Sequence, residues 1–316
     1  MLKTVEKPMV IYHWWCDNPQ IKPYQDMSSP VVPSIAVLRS HNRSIPITVL
    51  DISCKPQDWG CFPELLNFTV VRWTPRLDLS LHKSSKLCSR VWDVLEYAKQ
   101  ISNTNILFTD ADIFWLKNPL PLVHQEPDGK LLKFYCSSNT GVWYFDKTSE
   151  IVDEVFRKWK FIISRVLIND SEFFNELSAI VPTALERSFQ DEVAFGYLIC
   201  RYPELYNPVV SEENYMIYRL MNDGPLDNVK CLHALGAVLG STRGLICLVL
   251  KELKESIQSV LNDDQIRDVF SGVTSNHLYG IDEIKSISDY ELKKLLEFTG
   301  SLRADELINE LRIQRV

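Results

Sequence analysis

The chain has 316 residues with 46% hydrophobic and 24% charged content, an ordinary globular make-up, long enough for one large α/β domain or two smaller ones. With 34 basic against 41 acidic residues the net charge is −7, which argues against a nucleic-acid-binding surface as its main purpose. No apolar run approaches the ~18 residues that would indicate a transmembrane segment, and residues 1–8 are polar without a signal-type hydrophobic stretch, so the expected setting is cytoplasmic.

In chain order, residues 9–15 form an apolar, β-prone run. Residues 31–39 read as a helix, 47–50 as a strand ending at Asp51, and 68–73 as another strand. Residues 84–100 carry Leu87, Val91, Val94, Leu95 and Ala98 at a 3.6-residue period, with Lys86, Arg90 and Asp93 on a different stripe. The strand 105–109 follows, and the β-α-β-α-β order implies a mostly parallel sheet flanked by helices. Strands are expected at 131–136 and 141–145 around a turn of small residues, with helices at 150–166 and 190–201 and a short strand or loop at 230–236. From about Gly244 the character turns helical, with helices expected at 245–261, 289–298 and 303–311. This places one domain at residues 1–243 and a helical C-terminal extension at 244–316, whose stripes read as core or as a homodimer contact. The eight cysteines are scattered without a CxxC pair and are expected to be reduced. The glycosylation sequons at Asn42, Asn67 and Asn169 read as chance matches to a short motif.

The most informative stretch is the apolar run Ile106 to Phe108 leading into Asp110 and Asp112. A buried parallel strand followed by a polar break places its next residues at the sheet rim where ligands bind. Strand alternation would put residues i and i+2 on one side, so both carboxylates are expected to face one divalent cation, Mg²⁺ or Mn²⁺ bridging phosphates.

Phe108-Thr-Asp-Ala-Asp-Ile-Phe-Trp-Leu-Lys-Asn-Pro-Leu-Pro121 resembles the metal motif of GT-A-fold nucleotide-sugar glycosyltransferases. It is most similar to the nucleotide-diphospho-sugar transferase family that includes plant cell-wall xylosyl- and arabinosyltransferases. Asn139-Thr-Gly-Val-Trp-Tyr-Phe145, the helix running to Trp159, and Asp191-Glu-Val-Ala-Phe195 are similar to the family pattern in order and spacing, with Glu192 where the family has Gln. The resemblance covers residues 84–236. It implies a GT-A, Rossmann-like α/β fold and transfer of a sugar from a nucleotide diphosphate, most often a UDP-sugar, to a glycan, glycoconjugate or other hydroxyl acceptor, with Mn²⁺ or Mg²⁺ as cofactor.

The same resemblance implies roles for individual residues. Asp112 would ligate the metal and Asp110 the metal or the donor ribose. His233, in Cys231-Leu-His-Ala-Leu-Gly236, would complete the coordination sphere, and Gly236 would let backbone approach the phosphates. Arg90 and Lys86 would lie near the donor phosphates or the first Asp, and Asn139 and Gly141 would line the sugar pocket. Asp191 or Glu192 would face the acceptor or the anomeric carbon, as base, stabiliser or nucleophile, which leaves the stereochemistry open. Tyr12, with His13, Trp14 and Trp15, would stack on the nucleotide base; Asp51 is either a turn residue or a contact to uracil or ribose. A solvated basic face for Arg90, a core place for Tyr12 and a helix-opening role for Asp191 are the structural alternatives.

Three other functions start from similar residues. A haloacid-dehalogenase-type phosphatase uses D-x-D after a strand, but Ile113-Phe114-Trp115 would crowd its loop. A sugar-phosphate nucleotidyltransferase needs a Gly-rich loop near the N-terminus, and residues 8–40 contain no glycine. A catalytically silent nucleotide- or glycan-binding domain is the non-enzyme reading.

Overall fold

The apolar run Met9–Trp14 forms β1, buried along nearly its whole length, as a central parallel strand must be. This computed structural model describes residues 7–16, 18, 20–26, 29–121, 132–134, 140–180, 190–205, 207–208, 215–216, 231–233 and 254–269. β1 pairs in parallel with β2 (Ile47–Asp51) on one side and with β4 (Asn105–Thr109) on the other, and β2 pairs in parallel with β3 (Thr69–Arg72). A small second sheet contains β5 (Ile113–Trp115). Past β4 the direction changes. β7 (Val142–Asp146) lies antiparallel to β4 and to β6 (Leu132–Phe134), which pairs with β8 (Asn207–Pro208). The seven-stranded order is β3-β2-β1-β4-β7-β6-β8. β9 (Tyr215–Met216) and β10 (Cys231–His233) complete the small sheet, in the order β5-β10-β9.

Helices cover both faces, as a sheet buried on two sides requires. α1 (Val31–His41) lies on one face, where Val10, Tyr12, Trp14, Val49 and Leu107 share a core with Val32, Ile35 and Ala36. α2 is the single turn Phe62–Leu65. α3 (Ser85–Ala98), α4 (Glu150–Leu167), α5 (Ser171–Ile180) and α6 (Gln190–Arg201) cover the other face, over Ile11, Ile106, Phe108, Trp143 and Phe145. Trp143 meets Phe108, Phe156 and Trp159 at ring centroid distances of 4.5, 5.1 and 5.5 Å, and Trp159 meets Phe195 at 5.2 Å. This aromatic block ties β4 and β7 to α4 and α6 beneath the site.

Two local departures have physical reasons. The helix expected at 245–261 is present as α7 (Lys254–Gln258) and is followed by α8 (Asp263–Val269). The break is a capping box: Gln265 N donates to Asn262 Oδ1 at 3.0 Å and Asn262 N to Gln265 Oε1 at 2.9 Å. Ile257, Leu261, Ile266 and Val269 join the core of the α1 face, so this part of the expected extension shares the main core. Residues 245–253, 289–298 and 303–311 lie outside the described residues. α5 was not expected; Asp170 opens it by accepting Phe173 N at 3.1 Å. The sequon asparagines have structural work. Asn67 and Asn169 adopt the left-handed region (φ 49° and 53°), which asparagine tolerates. Asn42 is buried and accepts from Ser44 N and Ile45 N. Among the described residues no helix is long and apolar enough to cross a membrane.

Candidate functional site

The strand order reverses at β1, which has β2 on one side and β4 on the other. In open α/β sheets the ligand crevice lies beyond the carboxyl ends of the strands at such a point. Here those ends carry His13 to Trp15 and Thr109-Asp110.

β4 stops at Thr109, and Asp110 to Ile113 form a β-turn closed by Ile113 N donating to Asp110 O at 3.2 Å. Asp110 N donates to Gly141 O at 2.8 Å, which brings the Asn139-Thr-Gly141 segment against the carboxylate turn. Strand alternation therefore does not govern Asp110 and Asp112, contrary to expectation; the turn sets how they are presented. Both are half-buried.

Arg90 is buried, not part of a solvated basic face. Its Nη1 donates to Asp110 Oδ1 and its Nη2 to Asp191 Oδ2. Nη2 also donates to Thr140 Oγ1 at 2.6 Å, and Thr140 Oγ1 donates to Asp191 Oδ2 at 2.8 Å. The guanidinium carbon lies 5.6 Å from the Phe108 ring centroid. Burial pulls the Arg90 guanidinium down, but the charges and hydrogen bonds of Asp110 and Asp191 more than offset this and hold it above its ordinary value. One cation thus joins α3, the carboxylate turn, the start of β7 and the first turn of α6. Asp191 is fully buried, and among the described residues its Oδ1 finds no hydrogen-bond partner, nor does Arg90 Nε. In this arrangement Asp191 faces Arg90 and Thr140 and is closed to a surface substrate. Glu192, its neighbour in α6, is half-buried. Thr140 was not singled out in the sequence; its one signal is its place between Asn139 and Gly141.

The remaining residues divide clearly. His233 lies on β10, whose register places it opposite Ile113, directly after Asp112; its side chain lies outside the described residues, as do Asn139 and Gly236. Lys86 is half-buried, one turn before Arg90 on α3. Tyr12 does not face the crevice: it is fully buried on the α1 side with its hydroxyl 3.1 Å from Ser34 Oγ. Asp51 is a buried turn residue, accepting Ser53 N at 2.9 Å and Arg72 Nη1 at 3.3 Å. His13 is the β1 side chain on the crevice side of the sheet, bonded through Nε2 to Asp93 Oδ2 at 3.1 Å, and Trp15 beyond it is half-buried. Asp93 also accepts Arg76 N at 2.9 Å, fixing the connection into α3.

Among the described residues no three His, Cys, Asp or Glu side chains gather closely enough to hold a metal ion. The donor types fit one nevertheless. Asp112 sits on the turn, His233 belongs to the strand paired with the turn's end, and carboxylate with imidazole suits Mn²⁺. Asp110 has Arg90 on one oxygen.

No protein-family model matches the sequence, and no curated protein matches it significantly. Solved structures do match. The galactosyltransferase LgtC, in complex with donor and acceptor sugar analogs, superposes with a TM-score of 0.52 at 13% identity, covering 81% of this chain and 98% of that one. An active-site mutant of LgtC gives 0.53 at 12% identity, covering 84% and 99%. The fold is GT-A. At such identities the likeness is one of architecture and assigns no residue a role. The glycosyltransferase GlyE of Streptococcus pneumoniae matches with a TM-score of 0.46 at 14% identity, over 72% of this chain, which spans about half (54%) of GlyE. A GT-A sheet removes the dehalogenase-type reading of the D-x-D, which needs a different architecture and a free nucleophilic Asp110.

Proposed function

We propose that this chain is a metal-dependent glycosyltransferase that moves a sugar from a nucleotide diphosphate, a UDP-sugar, to a hydroxyl of a glycan or other acceptor. The observation that carries the reading is the Asp110–Ile113 turn at the switch point of a GT-A sheet, held by a buried arginine and paired with the strand of His233. Asp112 and His233, with Asp110, would hold Mn²⁺ or Mg²⁺, whose charge when bound stabilises the departing diphosphate. Arg90 orients Asp110. Asp191 acts through Arg90 and Thr140, and Glu192 is the carboxylate left to reach the acceptor or the anomeric carbon. Gly141, with Asn139 beside it, borders the sugar pocket, and Trp15 replaces Tyr12 as the aromatic nearest the nucleotide base. The cytosol as its compartment and a homodimer through the C-terminal helices expected within residues 244–316 complete the proposal.

The test is UDP release from a panel of UDP-sugars, with Mn²⁺ or with EDTA, for wild type and Asp112→Ala. Metal-dependent release from one donor, lost in the variant, is the expected result and names the sugar. No release from any donor, with no thermal stabilisation by UDP and Mn²⁺, refutes the UDP-sugar reading. A glycan-binding domain without transferase activity would then explain the fold better.

A further inference from the structure

The carboxylate turn is gripped from behind by two buried hydroxyls. Ser34 Oγ, on α1, donates to the carbonyl of Ile113, and the Tyr12 hydroxyl, on β1, lies 3.1 Å from Ser34 Oγ. A serine hydroxyl has one proton. With that proton on the Ile113 carbonyl, Tyr12 donates to Ser34, and the chain runs one way, from Tyr12 through Ser34 to Ile113. Burial pushes the Tyr12 phenol well above its ordinary value, which keeps it a donor. Both residues are fully buried, in a core that contains Val10, Trp14, Val31 and Ile35.

Apolar groups in place of both hydroxyls would remove the Tyr12–Ser34 bond at little net cost, but would leave the Ile113 carbonyl without its Ser34 donor. What apolar groups would not do is fix the Ile113 carbonyl. The Ile113 peptide closes the turn through its N–H, follows Asp112 directly, and lies opposite His233 in the β5–β10 register.

We propose that Tyr12 and Ser34 are positioning residues: a hydroxyl relay that sets the Asp110–Ile113 turn, and with it the meeting of Asp112 with the His233 strand around a divalent cation. The inference rests on the metal reading above. The relay acts from the far side of the turn and touches neither metal nor donor.

The experiment measures Mn²⁺ affinity directly, by the EPR signal of free Mn²⁺, in wild type, Ser34→Ala, Ser34→Thr, Tyr12→Phe and Asp112→Ala. Thermal stability is measured beside it. Ser34→Ala is expected to weaken Mn²⁺ binding about tenfold, the low end for groups that orient metal ligands. Tyr12→Phe, which keeps the ring and removes one oxygen, is expected to weaken it about threefold, and Ser34→Thr, which keeps the hydroxyl, by less than about twofold. Ile163→Val, in the core of the opposite face, serves as a control that lowers stability without moving Mn²⁺ affinity. Unchanged Mn²⁺ affinity in both Tyr12→Phe and Ser34→Ala, whatever their melting temperatures, overturns the relay while leaving the metal site standing. Equal binding by Asp112→Ala and wild type, or none by wild type, overturns the metal reading itself and the relay with it.

Discussion

Arg90→Met removes one charge from a site that holds two carboxylates and fills much of the same space. Asp110 is 20% exposed and regains water when the guanidinium is gone. Asp191 has no exposure, and among the described residues its Oδ1 already lacks a partner. The cost therefore falls on Asp191, left among them with Thr140 as its side-chain partner. Breaking a buried pair in this way costs about 3–5 kcal/mol, because a charge stays buried uncompensated. At roughly 2–4 °C per kcal/mol for a domain of this size, the melting temperature should fall by about 6–20 °C. Adding Asp191→Asn removes the stranded charge and should recover roughly 1–3 kcal/mol. Urea unfolding followed by tryptophan fluorescence, with the m-value held constant across variants, measures both steps. A loss below about 1 kcal/mol in Arg90→Met, or a double variant no more stable than the single one, refutes the claim that this cation is the keystone of the site.

Glu192→Gln should lower donor turnover about 100-fold or more; normal turnover removes Glu192 from the chemistry. Thr140→Val, which deletes one hydroxyl between Arg90 and Asp191, should cost about 1–2 kcal/mol, measured in the same urea titrations, and a neutral result would contradict the bonding described. Tyr197 gives a pH prediction. Burial, then its hydrogen bond to Glu176 at 2.6 Å, raises its phenol from 10.0 to about 12. Because the folded value is the higher one, this stability is complete below pH 10 and is lost as pH rises towards about 12. Tyr197→Phe should flatten the alkaline fall in stability, and an equally steep fall in that variant would show that other groups cause it.

The sheet and the place of Asp110 and Asp112 just past the end of β4 were legible because both rest on local signals; the turn that presents them was not. Buried parallel strands write themselves as apolar runs, and α3 carries its core stripe openly. What was not legible depends on phase and on distance along the chain. The sequence alone leaves Tyr12 free to be a base platform, yet the register pairs Ile11 with Phe108 under α3, so His13 meets Asp93 on that face and Tyr12 meets Ser34 of α1 on the other. One residue of phase exchanges the two faces of a strand. Arg90 and Asp93 lay on a polar stripe that looks like surface, and only the arrival of Asp110, Asp191 and His13 from distant parts of the chain makes that stripe an interior. The α7–α8 break carries a local signal, the Asn262-Asp-Asp-Gln265 capping box, which apolar periodicity over 245–261 does not show.

The packing of Ile257, Leu261, Ile266 and Val269 onto the α1 face has a consequence for biosynthesis. On the ribosome the chain emerges from its N-terminus, so β1, α1 and β2 are made early while the side chains that cover them are made late. Until residue 269 has left the exit tunnel, Val31, Val32 and Ile35 lack part of their covering. The opposite face, closed by α3 to α6, can be completed sooner. Vectorial synthesis thus separates the two halves of the core in time, and the interval between them is when the nascent protein needs a chaperone most.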